Sequence, residues 1–136
     1  MPSEGEVCIV LDPRAEAMTR LSAWLDTQEE ALELPPKVAF ALRLCLEEAV
    51  LNIVNHGGAD APVIVRLHPA ETELTAEIVD RGPPFDPRIA PEPAKPANLR
   101  EAAIGGLGIH LIRNFAARIE YDTAADGNRL TLHFAP

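Results

Sequence analysis

The order of hydrophobic patterns along the 136 residues predicts an α+β fold: a two-layer α/β sandwich with helices on one face of a mixed, mostly antiparallel sheet. Two observations carry this. The helical patterns come as a group, after one short strand. The remaining strands come as two pairs, each joined by a short stretch of turn-forming residues. The length suits a single domain, residues 1–136, with a core of its own.

Each element follows in order. Val7 to Leu11 (VCIVL) is short, apolar and rich in β-branched residues, and reads as a strand. Asp12 then stands as a helix N-cap with Pro13 at the first helical position. Ala17, Leu21, Trp24 and Leu25 recur at helical spacing, and the helix fades near Glu29 and Glu30. Leu34-Pro35-Pro36 marks a break. A long and almost wholly apolar helix follows from Lys37 to about Asn55, stopped by Gly57-Gly58. Val63 to Leu67 and Leu74 to Val79 form a pair of strands around Glu71 and Thr72. A helix from about Ile109 to Ala117 precedes a closing hairpin, Arg118 to Asp122 with Arg129 to Phe134, with Asp126-Gly127 in its turn.

Composition narrows the function classes. A net charge of −9 opposes loose binding to nucleic acid, which is driven by phosphate neutralisation, so no direct nucleic-acid contact is expected. The same acidity would suit a basic protein partner. There is no apolar run of about 18 residues, and the opening residues carry neither a basic leader nor a long apolar stretch. No membrane contact is expected, and a cytoplasmic location is. Cys8 and Cys45 lie in apolar stretches, away from any Cys or His at ligand spacing, and are expected as small core residues. His68 and His133 are expected at strand edges or exposed positions, and His110 facing solvent.

Three segments carry candidate chemistry. The first lies on the long helix. At roughly 100° per residue, Arg43 and Glu47 pair on one edge, while Glu48, Asn52, Asn55 and His56 share another. The second edge reads either as a solvated stripe or as a working site. In the working site Glu48 is a general base, and Asn52 offers magnesium one of the few protein oxygens it takes.

The second segment is Asp80-Arg81-Gly82-Pro83-Pro84-Phe85, at a strand end. It reads as a plain turn or as a base site. In the base site Asp80 accepts the exocyclic amino hydrogen of adenine, and Gly82 lets the base approach the backbone. The third is Gly105-Gly106-Leu107-Gly108 ahead of a helix, a hinge or a phosphate cradle of backbone N–H groups. It is not a dinucleotide fingerprint, because no strand precedes it and Leu111 stands where a third glycine belongs. Walker A, H-R-D and D-F-G patterns are absent.

In this order and spacing the three segments resemble the GHKL (Bergerat-fold) ATPases along nearly the whole chain. Glu48-Ala49-Val50-Leu51-Asn52 is similar to their N box, Asp80 to Phe85 to their G1 box, and Gly105 to Ile109 to their G2 box. The proline-rich stretch of about 83–104, with Lys95 and Arg100 as its cations, falls where that family has its ATP lid. E-A-V-x-N-x-x-x-H, D-R-G-P-P-F and G-G-L-G-I most resemble the stand-alone anti-sigma factor serine/threonine kinases of bacteria. The resemblance implies ATP and Mg2+ as cofactors, Glu48 as the catalytic base and Asn52 on the metal. It implies Asp80 and Gly82 at adenine, with Gly105, Gly106, Leu107 and Gly108 along the phosphates and Asn55 on the phosphate side.

It also implies an anti-anti-sigma (STAS) protein as phosphoacceptor, a sigma factor as second partner, and a homodimer as the assembly. Two features depart from the family's pattern. Gly57-Gly58-Ala59 replaces the usual aromatic, and Asn128-Arg129 stands where Thr is frequent. The rival readings are a non-catalytic module of the same fold that binds ATP or a partner, a plain ATPase, and a catalytic domain separated from a histidine kinase. The first helix, with Arg14, Arg20 and Trp24, is a candidate partner surface, because the three segments leave it unused.

Overall fold

The computed structural model describes residues 6–14, 16–56, 61–82, 112, 114–124 and 127–135. They form β1 (Val7–Leu11), α1 (Glu16–Ala31), α2 (Pro36–His56), β2 (Val63–Pro69), β3 (Leu74–Asp80), β4 (Arg118–Ala124) and β5 (Gly127–Phe134). The five strands make one sheet in the order β1-β2-β3-β5-β4. Every neighbouring pair is antiparallel. The α+β expectation therefore holds, in its wholly antiparallel form.

Strand alternation builds the core. Val63, Val65 and Leu67 of β2 and Leu74, Ala76 and Ile78 of β3 are buried, with half-buried residues between them. The two helices cover this face. α1 packs on β1 and on α2, and α2 packs on β3 and β5. Leu21 and Leu25 of α1 and Leu42, Leu46 and Val50 of α2 are wholly buried. Each such side chain contributes about 1.5–3 kcal/mol relative to an exposed one.

α1 begins later than Asp12-Pro13 suggests. Arg14 N–H donates to Asp12 O at 2.7 Å and Ala17 N–H to Arg14 O at 2.9 Å, so the first residues make a turn and the helix starts at Glu16. At its end, Leu34 N–H donates to Glu29 O (3.1 Å) and Glu33 N–H to Glu30 O (3.2 Å). Glu33 lies at φ 50°. This is a Schellman cap with glutamate in the left-handed position that glycine usually takes. Pro36 then opens α2, where its missing N–H costs nothing, and Ala39 N–H to Pro35 O is 2.9 Å.

The helices are also joined by charge. Arg43 and Glu47 pair as expected, at 3.5 Å. The guanidinium reaches further, to Glu29 (3.1 Å), Ser22 (3.0 Å) and Asp26 (2.5 Å) on α1. Of the helix expected before β4, the described residues 112, 114 and 115 are helical. Ala116 N–H donates to Ile112 O at 3.0 Å, and Ile112 is buried.

Candidate functional site

On the inner face of β3 the series Leu74, Ala76, Ile78 ends in Asp80, which is half-buried. The chain turns there. Gly82 N–H donates to Asp80 Oδ1 at 2.8 Å, an aspartate-capped turn. Across the sheet Asp80 is register partner to Asn128 of β5. The Asn128 amide, 5% exposed, donates to Asp80 Oδ1 at 3.2 Å and to Gly82 O at 2.8 Å. The structure thus brings Asp80 and Gly82 together, as the sequence reading has them, and adds a third member.

The sequence marks Asn128 only as a departure from the family's closing strand, with no site role attached to it. The signal lies in the alternation: 128, 130, 132 and 134 share a face, and Leu130, Leu132 and Phe134 make Asn128 the lone polar residue on it. Gly127 enables the approach. Its φ is +139°, and a β-carbon there would stand 2.5 Å from Asp80 O.

The second cluster lies on α2. Glu48 and Asn52 are half-buried and Asn55 is exposed. Four residues of helix place Asn52 about 6 Å along the axis from Glu48. Burial pushes the Glu48 carboxyl above the ordinary carboxylate range, and the neighbouring Glu47 charge adds to it. Unlike Glu47, Glu48 has no ion-pair or hydrogen-bond partner among the described residues. A partly shielded, unpaired carboxylate with a raised pKa is a stronger proton acceptor than a solvated one.

The side chain of His56 lies outside the described residues, as do Gly105, Gly106, Leu107, Gly108, His110 and the segment 83–104. Among the described residues no cluster of three or more His, Cys, Asp or Glu could hold a metal by itself. No helix among them is long and apolar enough to cross a membrane.

Two expectations are corrected. Cys45 is core, its thiol pushed up to about 12 by burial, but Cys8 is exposed, because its place in β1 alternates onto the face without helices. His133 is not at an exposed edge. It is 7% exposed, with Glu73 Oε1 2.7 Å from Nδ1 and Glu120 Oε1 2.6 Å from Nε2. Flanking strands and carboxylates cover it. Trp24 packs half-buried against the core. Where the chain enters α1, Asp12, Arg14, Glu16, Ala17 and Arg20 line an open cavity of about 290 Å³, and Arg20 is anchored on Val10 O at 3.2 Å.

Residues 11–134 match the family described as histidine kinase-like ATPase domain, and the chain belongs to that family. Among characterised proteins it is similar to the serine/threonine-protein kinase BtrW of Bordetella bronchiseptica, 35% identical over 105 residues, covering 74% of each chain. In fold it is similar to the crystal structure of the RsbU and RsbW domains of Rv1364c from Mycobacterium tuberculosis. There the TM-score is 0.69 at 19% identity, over 99% of this chain and 32% of that one.

Proposed function

We propose that the protein is an ATP-dependent serine/threonine kinase acting as an anti-sigma factor in the cytoplasm, with a STAS-domain protein as phosphoacceptor. The observation that carries the nucleotide half is the Asp80 carboxylate, fixed by Gly82 and Asn128 in a chain of the histidine kinase-like ATPase family. The kinase half is supported by the likeness to BtrW.

The residues present fit the group. Asp80 Oδ1 takes two protein donors, and no described residue donates to Oδ2, which suits the amino group of adenine. Gly82 presents no side chain to the base. Asn52 supplies a neutral oxygen donor, and the lack of a ready-made carboxylate cage among the described residues accords with magnesium held largely by phosphate and water. ATP with magnesium supplies the phosphoryl group and the neutralised charge that transfer requires.

The rest falls to the chain. Glu48 accepts the proton of the attacking hydroxyl. The glycine run 105–108 and Asn55 are assigned to the phosphate side from sequence. Phosphorylation adds about −1.5 to −2 charges to the partner and separates the pair. The freed kinase then holds a sigma factor, for which the α1 surface with Arg14, Arg20 and Trp24 is a candidate contact.

The test is transfer of labelled phosphate from ATP to a STAS-domain protein. Wild type is expected to label a serine or threonine. Glu48→Ala is expected to lose at least about 100-fold in rate, with ATP affinity kept. A Glu48→Ala protein that transfers at the wild-type rate rules out that base. Phosphate released only to water would identify a plain ATPase, and absence of ATP binding would leave a docking module.

A further inference from the structure

Asn128 is an amide on an otherwise apolar face, and a buried amide is tolerated only when its hydrogen bonds are made. Its donors are both spent within one turn. Nδ2 gives to Asp80 Oδ1 at 3.2 Å and to Gly82 O at 2.8 Å. The opposite amide orientation would set Oδ1 against two acceptor oxygens, so the partners fix which way the group points. Asp80 Oδ1 receives Gly82 N–H as well. Two donors on one oxygen hold the carboxylate in a single orientation, and among the described residues Oδ2 is its uncommitted acceptor.

We infer that Asn128 is the positioning residue of the base site: by saturating Asp80 Oδ1 it holds Oδ2 ready for an exocyclic amino group, and so sets selectivity for 6-aminopurine nucleotides. This rests on the reading of Asp80 as the base acceptor. Asn128 acts through Asp80, so its effect should follow the amino group of the ligand and not the rest of the nucleotide. A site that orients its acceptor for a ligand donor rejects an analogue lacking that donor far better than a loose one does.

The experiment is calorimetry with two ligands, ATP and purine riboside triphosphate, which is ATP without its 6-amino group. Wild type is expected to prefer ATP. Asn128→Ala is expected to weaken ATP by about tenfold, with the desamino nucleotide changed less than about twofold. Asn128→Thr, which keeps one donor on a side chain suited to a strand, is expected to fall between. It carries the test if the alanine variant does not fold. Equal weakening of both nucleotides would make Asn128 merely structural and overturn the inference, as would a preference unchanged from wild type. A wild-type protein that binds both nucleotides equally, or neither, refutes the reading of Asp80 itself, a result distinct from either of those.

Discussion

Gly127 and Asp80 meet backbone to backbone: a β-carbon on residue 127 would stand 2.5 Å from the Asp80 carbonyl oxygen, at a φ of +139° that L side chains rarely adopt. Gly127→Ala must therefore push β5 off β3 at the point where Asn128 reaches the turn. The expected cost is about 2–3 kcal/mol of stability, together with weakened ATP binding. Urea denaturation and calorimetry on the same protein check both. An alanine variant as stable as wild type would show that the two strands separate there without strain.

Glu48→Gln should stabilise the protein while abolishing transfer. Burial and the Glu47 charge raise the Glu48 carboxyl in the folded state. A raised acid binds its proton more tightly folded than unfolded, so stability falls as pH rises through the unfolded and then the folded value. At pH 7 the full cost of the charge is present, and glutamine removes it. The gain in melting temperature is expected at neutral pH and should vanish below the ordinary carboxylate range. A gain independent of pH would place its origin elsewhere.

Glu120 runs the other way. Its hydrogen bond to His133, with attraction from His133 and Arg118, holds its carboxyl below the ordinary range. Such a group contributes stability above its unfolded pKa and loses it as pH falls through the folded one. Glu120→Gln should thus destabilise at neutral pH and match wild type in acid. Melting curves across pH 3–7 for both variants should show differences of opposite sign.

Arg43 is the pin between the helices. Replacing it with methionine keeps the stem and removes the contacts to Glu29 and Ser22, at an expected cost of about 1–2 kcal/mol. Asp26 adds little, because its side chain is 73% exposed. A double-mutant cycle of Arg43→Met with Glu29→Ala should return a coupling of about 0.5–1 kcal/mol, and zero coupling would count against the pin.

Glu33→Gly relieves the left-handed cap of α1. A gain of about 0.5–1 kcal/mol is expected, with ATP binding unchanged. Chemical denaturation measures it, and a loss would show that the Glu33 side chain makes up for its backbone strain.

Much of this was legible in the sequence because it depends on local periodicity. The apolar run of α2, the alternation of β2 and β3 and the turn at Glu71-Thr72 each follow from neighbours in the chain. So do the spacing of Glu48 and Asn52 and the turn chemistry around Asp80. What stayed hidden depends on which strand lies beside which. Asn128 becomes a site residue only because β5 pairs with β3, in a register that sets it opposite Asp80. His133 is buried because Thr75, Arg118, Glu73 and Glu120 reach it from other parts of the chain. Asp12-Pro13 misleads for the opposite reason: it is a good helix start in isolation, but here it serves a turn that carries the chain from β1 into α1.

The strand order has a consequence for biosynthesis. β5 is the last of the described strands to emerge during translation, yet it lies inside the sheet, between β3 and β4. Until residues 127–134 emerge from the ribosome, β3 has an edge without its partner strand and β4 has no neighbour among the described strands. A nascent chain stalled before that point holds Glu48, Asn52 and Asp80 but lacks the Asn128 contact of the proposed base site, and it offers chaperones or other chains an open strand edge. On the proposed reading of Asp80 and Asn128, the base site is completed late and at once, with the docking of a single eight-residue strand.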